Sequence, residues 1–153
     1  MAISNLHETL LSYTLRRNEL NLELTNLASQ KQLATYAQAD AMSLKSAQER
    51  SQKAYFQGIW ENLEVSSKND KKRVYNGAEY TDYTQIPDFE DAIDKIVAEY
   101  NDQLAELTAW ETAIDSQITT DSAELEEVNA YMESLKSMLQ TNIQDDFNYG
   151  LNG

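Results

Sequence analysis

The 153-residue chain has no cysteine, one proline, four glycines and one histidine. Each shortage excludes something. Without cysteine there is no disulfide framework, no thiolate metal site and no thiol nucleophile. Without glycine-rich loops there is no phosphate cradle of the P-loop or dinucleotide type. The lone histidine, His7, opens a His-Glu pair, but the position that a zinc-protease motif needs for its second histidine is Leu11. A di-iron bundle needs Glu-x-x-His pairs on two helices, and one histidine cannot supply them. Basic residues are also scarce. Lys plus Arg is 12 against 26 Asp plus Glu, a net charge of −14, which is the wrong sign for a phosphate-backbone binder. No apolar run approaches the 18 or more residues of a membrane span, and no basic segment followed by an apolar run marks a Sec-type signal. The expectation is a soluble protein, cytoplasmic or exported by another route, without catalytic residues, metal or cofactor.

What remains is distributed unevenly. Residues 1–65 hold 6 basic and 7 acidic side chains, residues 66–87 hold 4 and 3, and residues 88–153 hold 2 and 16. The negative excess is a property of the last 66 residues. The breakers are segregated too. Apart from Gly58, no Gly or Pro occurs in residues 1–65, and none occurs in 88–149; Gly77 and Pro87 punctuate the middle. Two long breaker-free segments around a short connector predict two helices.

Periodicity supports this. Stepping by four and three from Ile93 to Leu139 meets 14 positions, of which 12 are apolar; Glu111 and Asp121 are the exceptions. Such a heptad seam drives helix–helix packing. A matching stripe runs through Leu6, Leu10, Tyr13, Leu20, Leu24, Leu27, Ala34 and Ala41, interrupted by Arg17 and Lys31. Asn5 and Glu8 have capping-box spacing at its start, and Pro87 followed by Asp88, Glu90 and Asp91 suits a helix N-terminus.

The predicted fold is all-α: one domain over 1–153, a long antiparallel two-helix hairpin with coiled-coil-like packing. Its parts are helix 5–65, connector 66–87, helix 88–146 and tail 147–153. Helices of this length would each extend about 90 Å. With the tip set at Gly77, Lys31 faces Asp121 and forms a candidate register pair, a polar contact that penalises slipped alignments. In the connector, Asn76-Gly77 between Arg73-Val74-Tyr75 and Glu79-Tyr80 carries the strongest short hairpin signal and predicts a small β-ribbon or a mobile loop. Tyr75, Tyr80 and Tyr83, with Lys71, Lys72 and Arg73, make a candidate interaction surface there; the competing expectation is that the tyrosines cap the helix ends. An alternative fold is a compact four-helix bundle. Ser46-Ala-Gln-Glu49 and Asp121-Ser-Ala-Glu124 are capping boxes, so both helices could break near 40–46 and 119–122. That packing would cover Leu11, Leu15, Leu22 and Phe56, which fall outside the seam.

A long apolar seam is a surface for other helices. The expected function is therefore a non-enzymatic structural or assembly protein that self-associates, with homo-oligomers or other helical proteins as partners; a filament-type subunit is one such role. Two amphipathic ends lying side by side is an arrangement similar to that of filament and needle subunits of bacterial secretion and flagellar systems, a likeness of architecture without a shared motif. The alternative is a small acidic chaperone or adaptor whose second helix covers a basic or helical client. Asp145 to Gly150 resembles part of a calcium loop but lacks the closing glutamate.

Overall fold

A computed structural model describes residues 2–152. Two helices dominate it: α1, Ile3–Glu61, and α2, Pro87–Asn152. Between them lie three short strands, β1 Val65–Ser67, β2 Lys72–Tyr75 and β3 Ala78–Tyr80, followed by a 3₁₀ turn at Tyr83–Gln85. The fold is thus the expected helical hairpin. Both helices run unbroken through the two capping-box sequences, so the four-helix bundle does not form. The reason is visible at Asp121. Its side chain does not cap a helix start but sits 2% exposed at a seam position, accepting a hydrogen bond from Gln117 one turn earlier. Apolar seam residues continue on either side of it, and their burial outweighs a local capping preference.

Several boundaries differ from those expected. α1 begins at Ile3, so Asn5 lies inside the helix and its carbonyl receives the Thr9 hydroxyl at 2.8 Å. α1 stops four residues before 65. Residues 147–152 continue α2 rather than forming a tail, since no breaker precedes Gly150. Asp145 and Asp146 therefore project from a helix, which cannot wrap a cation as a calcium loop does.

The end of α1 shows how the sequence closes a helix without a C-terminal glycine. Its last carbonyls each need a donor. The Asn62 amide side chain reaches Gly58 O at 3.0 Å, Asn62 N reaches Ile59 O, and Leu63 N reaches Trp60 O. Trp60 O also accepts from Arg73 of β2 at 2.6 Å, and the Arg73 guanidinium lies 5.6 Å from the Trp60 ring centroid. A cation at a helix C-terminus complements the dipole, and its position over an indole adds to this.

The strands form one antiparallel sheet in the order β1-β2-β3. Asn76 and Gly77 both have positive φ, 47° and 81°, as a two-residue type I′ hairpin requires. The two-stranded ribbon expected from this turn gains a third strand because α1 ends early enough to free Val65–Ser67 for pairing with β2. Three strands are a more stable unit than a lone hairpin. Asp82 then caps the 3₁₀ turn through Tyr83 N, while Thr81 donates to Gln85 from both its amide and its hydroxyl, and Pro87 starts α2.

The chain divides into two units, Ala34–Trp110 and Met1–Leu33 with Glu111–Gly153. In the first, Phe56, Ile86 and Phe89 form a buried cluster with Ile59, Trp60, Tyr75, Tyr80, Tyr83, Ala92 and Ile93 around it. In the second, Leu20, Val128 and Met132 are buried together, with Leu10, Tyr13 and Leu125 against them. Tyr13 stacks on Tyr131 with ring centroids 5.5 Å apart.

Candidate interaction surface

Leu6, Leu20 and Leu27 are buried at intervals that are multiples of seven residues. On a 3.6-residue helix their side chains share a face. Leu11, Leu15, Leu22 and Leu33 fall on the opposite side, within an arc of about 40°, and are between 57% and 65% exposed. The four span about 33 Å of helix. Between them the same side carries Asn18, Thr25, Asn26 and Ser29, with one acid, Glu19, at its edge, paired to Arg16. α1 therefore has two apolar faces in this unit, one packed against α2 and one in water. Single exposed leucines are ordinary; a row of them is the pattern of a contact surface. Phe56, which fell outside the expected seam, is buried in the other unit against Ile86 and Phe89.

The register on the packed side is fixed by ion pairs. Arg16 grips Glu124 with two hydrogen bonds, Nε to Oε1 at 2.7 Å and Nη2 to Oε2 at 2.8 Å, a fork geometry that only arginine offers. The contact keeps the Arg16 guanidinium more firmly protonated and holds the Glu124 carboxyl below the usual glutamate range. Lys31 donates to Asp115 Oδ1 at 2.6 Å, which raises its affinity for its proton.

This corrects the candidate pair of Lys31 with Asp121. The partner found for Lys31 stands six positions earlier in α2. A tip at Gly77 misplaced the pivot, because the Asn76-Gly77 turn belongs to the β2–β3 hairpin at one side of the connector. The point midway between Glu61 and Pro87 is Val74, and moving the pivot there shifts the expected pairings toward earlier positions of α2, the direction in which Asp115 lies from Asp121. Asp121 instead keeps one oxygen bonded to Gln117 and the other, Oδ2, buried without a hydrogen-bond donor.

The connector candidates are brought together, largely to close the helix ends. Tyr75 donates its hydroxyl to Asp88 in the first turn of α2, and that bond raises the tyrosine's pKa. Tyr83 meets Phe89 edge-on with centroids 5.3 Å apart, and Tyr80 packs on the same cluster. Arg73 is committed to Trp60. Lys71, exposed with φ 54°, lines with Arg73, Trp60, Val65, Lys68 and Thr81 an open groove of about 340 Å³. Lys72 is half-buried in β2. A second open groove of about 400 Å³ runs between Gln48, Ser51 and Gln52 of α1 and Ala92, Lys95, Ile96 and Glu99 of α2, without histidine, cysteine or a carboxylate pair. Among the described residues no group of three or more His, Cys, Asp or Glu side chains is arranged to hold a metal ion, and no helix is long and apolar enough to cross a membrane. His7 is exposed in the first turns of α1.

The Arg16–Glu124 clasp was not anticipated from sequence. A signal existed: Thr9, Arg16, Glu23 and Gln30 repeat one heptad slot beside the buried leucines, a polar line inside an apolar stripe. No family model, no curated protein and no solved structure matches this chain.

Proposed function

We propose that this chain is a non-enzymatic assembly protein that associates with further copies of itself through the outer face of α1, as a filament-type subunit does. The observation that carries this is the row Leu11, Leu15, Leu22 and Leu33, exposed on a helix whose opposite face is already packed. Charge supports the choice of face. The first 65 residues are nearly neutral, whereas residues 88–153 hold 16 acids and 2 bases. Copies approaching through α2 repel one another; copies approaching through α1 bring a mostly apolar, nearly uncharged surface together. The same patch on both partners gives a self-complementary contact that pairs two chains; growth beyond the pair needs a second, head-to-tail contact.

A second reading rests on that same asymmetry: the acidic face of α2 is suited to a basic or amphipathic client, which makes the chain a small acidic adaptor. Sedimentation across protein and salt concentration separates the two. Self-association through leucines grows with protein concentration and is maintained or strengthened by salt, which screens the acidic helices. An adaptor stays at 17.4 kDa, or at one fixed small oligomer, and its client binding weakens with salt.

A further inference from the structure

Asp121 is the one polar side chain that is buried among the described residues. It occupies a seam position flanked a heptad away by Ile114 and Val128. A carboxylate there needs donors on both oxygens, because desolvation of an unpaired charge is expensive. Oδ1 has one, the Gln117 amide at 2.8 Å. Oδ2 has none. From α1 the facing carboxyl is that of half-buried Glu23: the Arg16–Glu124 and Lys31–Asp115 pairs bracket Glu23 on one helix and Asp121 on the other, and the Asp121 carboxylate acts on the Glu23 proton. Two ionised carboxylates in contact have four acceptors and no donor. One proton between them supplies the missing donor, removes the like-charge repulsion and converts the contact into a short, strong O–H···O bond.

We propose that Glu23 and Asp121 share a single proton, forming a proton-binding site inside the α1–α2 seam that tightens the hairpin when occupied and loosens it when empty. The surrounding charges allow this. On α1 the cation that acts on Glu23 is Arg16, but its guanidinium is engaged by Glu124 and Glu19. On α2, Glu124 faces the pair and adds to the negative field. The Lys31–Asp115 pair closes the seam on the other side. The Glu23 proton is held above the ordinary glutamate range, first by the bond to Asp121, then by burial and by the Asp121 charge; Glu124 adds to this and Arg16 opposes it. A folded-state pKa raised in this way contributes stability that is complete below the unfolded value and is lost as pH rises through the folded value. The site lies within one chain, so it stands or falls independently of self-association.

The test uses the full chain, dilute, unfolded in urea between pH 5 and 8, as wild type, Glu23→Gln, Asp121→Asn and the exposed control Glu126→Gln. Either amide is a permanent donor to the remaining carboxylate. Both seam variants should therefore outlast wild type at pH 8, and the gap should narrow steadily toward pH 5. Glu126→Gln should follow the wild-type profile. A gap that is absent or independent of pH overturns the proposal. In the unsubstituted protein, carbon-13 NMR should show the Glu23 carboxyl titrating above the ordinary glutamate range; titration within that range overturns it equally.

Discussion

At the scale of single residues, the seam is held by charge as well as by leucine. Arg16 and Glu23 stand seven residues apart in one heptad slot, yet they meet opposite situations on α2. Arg16 finds Glu124 and gains a fork of two hydrogen bonds; Glu23 finds Asp121 and needs a proton. Their pH dependences run in opposite directions. The Glu124 carboxyl is depressed by Arg16, so this pair contributes stability above the unfolded glutamate pKa and loses it as pH falls through the lower folded value. A double-mutant cycle with Arg16→Met and Glu124→Gln, followed by urea unfolding, should show positive coupling at pH 7 that disappears in strong acid. Coupling unchanged by acid would mean that packing of the arginine stem, not the charge, joins the two. Sequence pattern alone marked Asp121 as an anomaly in the seam. It did not reveal the partner, because partner choice depends on register, and register depends on how many residues the turn consumes.

At the scale of elements, the long helices were legible because breakers are absent from them and apolar residues recur at heptad spacing. Asn76-Gly77 was legible because only residues tolerant of positive φ fit a type I′ turn. The third strand was not. Val65-Ser-Ser has no alternation to distinguish it, and it exists because Asn62, Leu63 and Arg73 terminate α1 early. Two glycines test these assignments with opposite signs. Gly58 lies within α1, and a Cβ there meets nothing within 4 Å, so Gly58→Ala should stabilise by about 0.5–1 kcal/mol. Gly77 has φ +81°, so Gly77→Ala should destabilise by about 1 kcal/mol or more despite equally open surroundings. Thermal unfolding followed by circular dichroism reads both. Destabilisation by both substitutions would contradict the helical placement of Gly58.

At the scale of the molecule, the −14 charge resolves into a near-neutral first helix and an acidic second one, and this asymmetry gives the chain two different outer faces. One is largely apolar over Leu11 to Leu33, with Glu19 at its edge; the other repels its own kind. The packed seam was readable from periodicity. The second apolar face of α1 was visible only as leucines left over, and it took the burial of Leu6, Leu20 and Leu27 on the opposite side to show that those leftovers share one line. The central claim is that this line joins copies of the chain. It is tested most directly by molar mass from light scattering over a concentration series, comparing wild type with Leu15→Glu/Leu22→Glu. Both positions are exposed, so the substitutions should leave folding within about 0.5 kcal/mol. The predicted result is a wild-type mass that rises with concentration and a variant that stays at 17.4 kDa. A wild type that remains monomeric throughout, or a variant that assembles as wild type does, would contradict it.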